Sequence, residues 1–207
     1  MDTCLIITAY IEGIIRDFVS PSELASSFVI CADAGYDNAL REDIRPDIIM
    51  GDFDSLNGSL PDDIPTFTFP SRKDYTDTGL ALKYALDHGF TNVIIAGGIG
   101  GRLDHTLSNI QDIAGFTEKG LAITMKDDGN LFTILTEGEH HISAQEGRHL
   151  SVFAYTKETC VSISGVSYPL SCHTLTNTYP LGVSNEFTEK AAVLTVHSGM
   201  VMLMLCK

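Results

Sequence analysis

The sequence predicts an α/β first half built on a mainly parallel sheet, followed by an antiparallel β-sandwich. Two observations support this division. Up to about residue 126, short apolar runs alternate with helical patterns, which is typical of a parallel sheet covered by helices on both faces. Beyond that point the apolar runs are rich in Thr, Val, Ile and Ser and are separated by Asp-Gly and Glu-Gly turns. We therefore predict domains at residues 1–126 and 127–207.

The first-half elements follow from apolar runs and helix caps. Buried strands are predicted for the uninterrupted apolar runs at residues 4–8, 28–32, 47–50 and 92–96. Thr76 can cap a helix that runs to about His88 and stops at Gly89. A further helix is predicted after Gly101. Its apolar stripe would consist of Leu103, Leu107, Ile110 and Ala114.

The second half of the sequence contains shorter apolar runs with turn residues between them. Strands are predicted at residues 149–155, 159–164, 191–197 and 200–205. Strands of this length that follow one another closely are typical of a small antiparallel sandwich or barrel. With 207 residues, of which 44% are hydrophobic, the chain can bury one sizeable core or two modest ones.

Composition excludes several classes of protein. A net charge of -14 with only 13 Lys and Arg argues against nucleic-acid binding, which needs a basic surface. The first apolar run, residues 4–7, is too short for a membrane span and lacks the basic start of a signal peptide, so we expect a cytoplasmic protein. The five cysteines are scattered without a Cys-x-x-Cys pair, so we expect buried thiols and neither disulfides nor a zinc site.

Acidic residues cluster at predicted strand ends and at the start of the first predicted helix. Asp52 and Asp54 follow one strand, Asp33 follows another, and Asp74 precedes Thr76. Each has a plain alternative, because an isolated Asp-x-Asp or Asp33 suits a turn and Asp74 suits a helix cap. However, carboxyl ends of parallel strands share one edge, where ligands bind. Converging carboxylates without basic partners are most easily kept ionised by a cation such as Mg²⁺.

A glycine-rich loop, residues 97–101, joins the strand at 92–96 to the next helix. Its N–H groups and the helix dipole favour an anion such as phosphate, and Arg102 adds a guanidinium fork. The loop lacks the third glycine of a dinucleotide fingerprint and the lysine of a P-loop. A tight strand-to-helix turn is the alternative interpretation. We expect His105 to pack or bond locally, and Phe53 to anchor the core or line a nucleotide pocket.

Taken in order, these motifs resemble the thiamine pyrophosphokinase family. The resemblance covers ADAG at 32–35, PD at 46–47, GDFDS at 51–55, KDYTD at 73–77 and the glycine-rich segment to His105. It continues into the second half with GVSYPL at 165–170 and GVSNEF at 182–187. It implies an ATP-binding α/β domain, a thiamine-binding β-sandwich domain and a homodimer with shared active sites. Both ATP and thiamine would be substrates, with Mg²⁺ as cofactor.

The resemblance also implies roles for individual residues. Asp52, Asp54 and Asp77 would bind Mg²⁺. Asp77, Asp54 and Arg102 would take part in catalysis. Because Asp77 stands at a helix start close to the proposed metal, it is the candidate to accept the hydroxyl proton, and a water or a phosphate oxygen is the alternative. The remaining substrate contacts would come from Asp33, Lys73, Asp74, Thr76, Gly98, Gly101 and Asp104 on the ATP side, and from Tyr168, Ser184, Asn185 and Phe187 on the thiamine side. From residue pattern alone, Ser184 and Asn185 also suit a turn, and Tyr168 and Phe187 also suit a core.

Other functions would use the same residues differently. A metal-dependent sugar-nucleotide transferase could use Asp52 and Asp54, but it would release a nucleoside diphosphate and not AMP. A non-catalytic sensor of thiamine or nucleotide could keep the fold without turnover. The number of aspartates argues against a sensor, because binding alone seldom needs so many uncompensated charges.

Overall fold

The computed structural model describes residues 2–53, 59–70 and 74–207. The chain divides into two compact units, Met1–Asp128 and Gly129–Lys207. The first unit contains, in chain order, β1 (Thr3–Ile7), α1 (Ile15–Phe18), α2 (Pro21–Ser26), β2 (Phe28–Ala32), α3 (Gly35–Arg41), β3 (Ile48–Gly51), β4 (Thr66–Thr68), α4 (Asp77–Asp87), β5 (Asn92–Ala96), α5 (Leu103–Thr117) and β6 (Ala122–Lys126). The second contains β7 (Asn130–Leu135), β8 (Gly138–Ser143), β9 (His149–Ala154), β10 (Glu158–Ser164), β11 (Leu170–Thr176), β12 (Gly182–Asn185), β13 (Ala191–Ser198) and β14 (Val201–Cys206).

The strands of the first unit form a parallel sheet in the order β6-β5-β1-β2-β3-β4. β1 pairs with β2 on one side and with β5 on the other, so it is central. Cys4, Leu5, Ile6 and Ile7 are accordingly 0% exposed. A central parallel strand is covered on both faces, which explains the uninterrupted apolar run that predicted it. The fold is of the mixed α/β class, as expected.

Helices cover both faces of this sheet. On one face, Leu5 and Val29 share a core with Ile15 of α1 and Ala39 of α3. On the other face, the ring of Phe28 stacks on Tyr84 of α4, with the ring centroids 6.2 Å apart. Because Phe28 and Val29 are neighbours on one strand, they point to opposite faces. The carboxyl edge of the sheet is therefore framed by helices on both sides.

The predicted helix after Thr76 is confirmed as α4, and its cap is the one expected. The Thr76 side chain accepts a hydrogen bond from Gly79 N at 3.0 Å. The apolar stripe predicted for α5 is wrong in its first half, because Leu103 and Leu107 are 72% and 53% exposed. The buried residues of α5 are Asn109, Ile113, Ala114 and Phe116.

The second unit consists of two antiparallel sheets, in the orders β12-β9-β14-β7 and β11-β10-β13-β8. Side chains from both sheets form one hydrophobic core. Fully buried examples are Leu150 of β9, Val161 of β10 and Leu194 of β13, each 0% exposed. Alternation of buried and exposed residues along these strands produced the period-two pattern of the sequence.

The cysteines are free thiols, as expected, but they are not all buried. Cys4 and Cys31 lie in the core, Cys160 and Cys206 are half-buried, and Cys172 is exposed. The prediction of buried thiols is therefore wrong for Cys172, which lies on β11 at the edge of its sheet. Among the residues that the structure describes, no helix is long and apolar enough to cross a membrane.

Candidate functional site

A pocket of about 720 Å³ lies at the carboxyl ends of the parallel strands. We call it the carboxyl-edge pocket. Residues after β1, β2 and β3 line it, together with the starts of α4 and α5. They are Thr8, Ala9, Tyr10, Ala32, Asp33, Asp52, Asp74, Tyr75, Thr76, Asp77, Thr78, Gly98, Gly100, Arg102, His105 and Asn109. The volume is in the range of small-ligand sites. The parallel topology thus brings the predicted acidic segments to one place.

Close approach of two strand ends holds Asp33 beside the segment of Asp52. Asp33 N donates to Met50 O at 2.7 Å, and Asp33 adopts a left-handed backbone with φ 50°. A side chain on Gly51 would place its Cβ 2.9 Å from Asp33 Cα, so only glycine fits there. Asp33 is 8% exposed. Phe53 packs against the hydrophobic core of the first unit, which confirms one of the two roles predicted for it.

The start of α4 presents Asp74, Thr76 and Asp77 to the pocket. Thr76 Oγ1 accepts from Gly79 N and donates to Asp112 Oδ2 at 3.1 Å. An ionised carboxylate has no proton to donate, so the Thr76 hydroxyl is the donor in this bond. Burial raises the pKa of Asp112, and the hydrogen bond from Thr76 opposes part of that rise. This bond ties α4 to α5 beside the pocket.

The glycine-rich loop differs from the anion cradle expected of it. Gly97 N donates to Lys126 O and Gly98 N to Tyr10 O, both at 2.9 Å, and Gly100 N donates to Thr106 Oγ1 at 3.1 Å. These three N–H groups already have acceptors within the protein, so the expectation of exposed donors is wrong for them. Left-handed φ values at these glycines, between 79° and 90°, turn the groups inward.

Arg102 and Asp104 form an exposed ion pair at the start of α5. Arg102 Nη2 lies 2.6 Å from Asp104 Oδ2. The hydrogen bond between them raises the pKa of Arg102 and lowers that of Asp104. Arg102 lines the pocket whereas Asp104 does not, and Gly101 is also outside the lining. Arg102 is the N-cap residue of α5 and its side chain makes no capping hydrogen bond, so a positive guanidinium stands beside the positive end of the helix dipole.

In the second unit, Tyr168 and Asn185 line an apolar pocket of about 170 Å³. Tyr168 is 72% exposed and Asn185 is 7% exposed. The Asn185 amide is engaged with the protein, since Oδ1 accepts from Tyr168 N and Nδ2 donates to Tyr168 O at 2.9 Å. Asn185 therefore fixes the backbone that carries the Tyr168 ring.

Two other predicted thiamine residues lie outside this small pocket. Ser184 is exposed, with a left-handed φ of 55°, and its N–H donates to Ser151 Oγ. Phe187 pairs with Val166 and packs against the second-unit core. It lines a separate cavity of about 560 Å³. Tyr168 and Asn185 therefore line the same pocket, whereas Phe187 lines a different one.

The donor chemistry of the carboxyl-edge pocket suits Mg²⁺. Within the described residues, no group of three or more His, Cys, Asp or Glu side chains is arranged to hold a metal ion. Asp54 and Lys73, predicted to bind metal and phosphate, lie outside the described residues. Mg²⁺ commonly uses only one or two carboxylates, with waters and substrate phosphates completing its shell. Asp52 and Asp77 are hard oxygen donors of that kind in one pocket.

Sequence reasoning missed several residues of the pocket. Tyr10 and Asn109 line it, and Asp112 supports Thr76 behind it. His105, expected to bond locally, also lines it. For Tyr10 the sequence did hold a signal, since Thr8-Ala9-Tyr10 stands where the family that the sequence resembles often has glycines, but no role for Tyr10 followed from it.

Comparison with known proteins gives a consistent result. A family profile described as thiamin pyrophosphokinase, catalytic domain, matches residues 23–125, and one described as thiamin pyrophosphokinase, vitamin B1 binding domain, matches residues 139–201. Thiamine pyrophosphokinase of Bacillus subtilis is 30% identical over 183 residues, which are 84% of this chain and 85% of that protein. Thiamin pyrophosphokinase 1 of Caenorhabditis elegans is 26% identical over 166 residues, 75% of this chain and 68% of that protein.

Solved structures share the fold. The crystal structure of thiamine pyrophosphokinase from Bacillus subtilis matches with a TM-score of 0.86 at 24% identity over 99% of both chains. That of a thiamin pyrophosphokinase family protein from Enterococcus faecalis matches with a TM-score of 0.80 at 25% identity, over 100% of this chain and 99% of that one. The family profiles and the Bacillus subtilis relative establish that the chain belongs to the thiamin pyrophosphokinase family.

Proposed function

We propose that the carboxyl-edge pocket binds ATP with Mg²⁺ and that thiamine diphosphate forms there. The reaction follows from the family: the chain transfers the terminal diphosphate of ATP to the hydroxyl of thiamine and releases AMP. One observation carries the assignment of the site. Asp33, Asp52 and Asp77 come from three separate segments of the chain and line one pocket with Arg102.

The proposed Mg²⁺ ligands are Asp52, Asp54 and Asp77. Carboxylates brought into one pocket repel each other, and a bound divalent cation removes that repulsion. When bound, Mg²⁺ would neutralise charge on the phosphate oxygens of ATP. Asp33 and Asp74 line the same pocket and would reach the metal or its waters.

Among the described residues, Arg102 is the proposed phosphate ligand. Lys73 is proposed to assist it. The present partner of Arg102, Asp104, is an exposed carboxylate, and exposed ion pairs contribute little stability. Exchanging that partner for a phosphate therefore costs little. A planar guanidinium can bind two phosphate oxygens at once and so hold the diphosphate in line with the attacking hydroxyl.

Asp77 is the proposed acceptor of the hydroxyl proton. It is the first residue of α4, so its backbone is fixed by the Thr76 cap and its carboxylate faces the pocket. Attack of the thiamine hydroxyl on the β-phosphorus of ATP releases a proton as the new bond to oxygen forms. A carboxylate within hydrogen-bond reach of that hydroxyl can take the proton.

The second unit is proposed to bind thiamine, and a homodimer is proposed to bring it to the carboxyl-edge pocket of a partner chain. The exposed Tyr168 ring beside an apolar pocket suits a flat cation, since an aromatic face attracts a thiazolium by about 0.5–2 kcal/mol. Ser184, Asn185 and Phe187 would support that site. We also propose a cytoplasmic location, where ATP is available as co-substrate.

Mixing two variants tests the shared site, provided that each is inactive alone. Asp52→Asn and Tyr168→Ala change different units, and neither removes a core side chain. Co-refolding them should form mixed dimers in which one of the two sites carries neither change. Recovery of about a quarter of wild-type activity is expected for random pairing. No recovery, with mixed dimers shown to be present, would mean that each chain builds its own site.

Product analysis tests the proposed site directly. The purified chain with ATP, Mg²⁺ and thiamine should give AMP and thiamine diphosphate in equal amounts. Asp52→Asn should lower turnover at least about a hundredfold, because loss of a metal ligand removes several kcal/mol of charge stabilisation. Asp87→Asn is the matched control, since Asp87 is exposed on α4 and pairs with Lys83. Equal turnover in both variants would remove Asp52 from the site.

A further inference from the structure

Every glycine of the glycine-rich loop lies against Tyr10. A Cβ on Gly97 would lie 2.3 Å from Tyr10 O, and Gly98 N donates to that same oxygen at 2.9 Å. A Cβ on Gly100 or Gly101 would lie 3.1 or 2.8 Å from carbons of the Tyr10 ring. Contact with Tyr10 is therefore common to all four glycines of the loop.

These contacts explain why the loop is rich in glycine. Any side chain at Gly97 or Gly101 would enter space that Tyr10 fills, and both residues have a left-handed φ, 84° and 61°. Close packing against Tyr10 explains the glycines at these positions, and a bound phosphate is not needed to explain them. Tyr10 and the loop are therefore shaped to each other.

The Tyr10 backbone is itself held in place from behind. Thr8 is 4% exposed, and its hydroxyl lies 3.1 Å from Tyr10 O and 3.0 Å from Ala96 O, so it bridges the segment after β1 and the last residue of β5. The Tyr10 carbonyl that accepts from Gly98 N is therefore held close to the end of β5.

The Tyr10 side chain is not buried in a hydrophobic core. It is 44% exposed and lines the carboxyl-edge pocket together with Gly100 and Arg102. Ring carbons of Tyr10 lie closest to the loop, 3.1 Å from a Cβ on Gly100 and 2.8 Å from one on Gly101, and the hydroxyl oxygen is farther from the Gly100 position, at 3.4 Å.

We infer that Tyr10 is a positioning residue for ATP, and that its ring holds the glycine-rich loop in the form that presents Arg102 and the start of α5 to the phosphates. This inference rests on the proposed function of the pocket. The ring is required and the hydroxyl is not, because ring carbons make the closest side-chain contacts with Gly100 and Gly101, whereas Gly97 and Gly98 contact the Tyr10 backbone. Without the ring, a loop of four glycines samples many conformations, and ATP binding must restrict them again.

Three variants separate the ring from the hydroxyl. Tyr10→Ala should raise KM for ATP about tenfold or more and weaken ATP binding in calorimetry to the same extent, with KM for thiamine changed less than about twofold. Tyr10→Phe should match the wild type. Tyr10→Leu keeps an apolar side chain without the flat ring and should fall between them. It also serves if Tyr10→Ala does not fold. Tyr179→Ala is the control, because Tyr179 is exposed in the second unit, outside both proposed sites.

The outcomes distinguish this inference from the assignment of the pocket. If Tyr10→Ala and Tyr10→Leu bind ATP as the wild type does while Asp52→Asn loses Mg²⁺-dependent binding, the role of Tyr10 is refuted and the site stands. If Tyr10→Phe is as weak as Tyr10→Ala, the hydroxyl and not the ring is responsible, and the inference is again wrong. If Asp52→Asn also binds ATP normally, the pocket itself is misassigned.

Discussion

Replacement of Gly35 by alanine should be strongly destabilising, although Gly35 begins a helix. An added Cβ would lie 2.0 Å from Ile7 O and 2.8 Å from Ile7 C. Carbon and oxygen atoms in contact are normally about 3.3 Å apart, so α3 and β1 would have to separate by more than about 1 Å. The atoms in the way belong to the backbone of the central strand, which cannot turn aside as a flexible side chain can.

The expected loss of stability for Gly35→Ala is at the upper end of the overpacking range, about 3 kcal/mol. Gly115→Ala is the matched control. It lies inside α5, and nothing is within 4 Å of its added Cβ. Removing a helical glycine without a steric clash should stabilise the protein by about 0.5–1 kcal/mol. The same Gly-to-Ala change should therefore lower the free energy of unfolding at position 35 and raise it at position 115.

Urea unfolding, followed by far-ultraviolet circular dichroism, measures both variants. The midpoint should fall for Gly35→Ala and rise slightly for Gly115→Ala. Because Thr8 follows Ile7 and lines the carboxyl-edge pocket, folded Gly35→Ala should also be less active. Wild-type stability of Gly35→Ala would refute the argument that close approach of α3 and β1 fixes this edge of the sheet.

Two further predictions concern titratable groups. Because burial raises the pKa of Asp112, the folded state loses stability as pH rises from the unfolded pKa of about 3.9 through the raised value. Asp112→Asn, which can still accept from Thr76, should be more stable than wild type at neutral pH, with the difference vanishing below that window. An equal difference at every pH in urea titrations would contradict this. Separately, exposed Cys172 should react first with Ellman's reagent, whereas burial, with a smaller effect of Asp47, raises the pKa of Cys4 to about 12. A fast phase that survives in Cys172→Ser would be inconsistent with this order.

The sequence was most informative where local pattern and tertiary environment agree. The strands at residues 28–32 and 92–96 were predicted to the residue, because buried parallel strands need apolar side chains on both faces. α4 was predicted with its cap because Thr76 and Gly89 mark both ends. Convergence of Asp33 and Asp52 followed from topology alone, since parallel strands share one carboxyl edge.

Other elements lacked a usable signal or had one that was overlooked. α2 carries a capping box between Ser20 and Glu23, with Pro21 at its start, and this signal was readable in the sequence. α3 begins at Gly35 without a side-chain cap, so nothing local marks it. Leu103 and Leu107 looked like part of an apolar stripe, but both are exposed on α5.

Contacts between segments far apart in the chain could not be predicted from the sequence. The packing of Tyr10 against the glycine-rich loop and the bond from Thr76 to Asp112 join residues far apart in the chain, with no spacing that marks them. The expectation of exposed N–H donors was wrong for Gly97, Gly98 and Gly100 for the same reason. The acceptors of these N–H groups, such as Lys126 O, come from other elements of the fold.

The crystal structure of the chain with Mg²⁺ and a non-hydrolysable ATP analogue tests the central claim most directly. The account predicts the nucleotide in the carboxyl-edge pocket, a Mg²⁺ ion about 2.1 Å from an oxygen of Asp52, and Arg102 turned from Asp104 to a phosphate. A nucleotide bound elsewhere, or a metal ion that contacts none of the pocket aspartates, would contradict it.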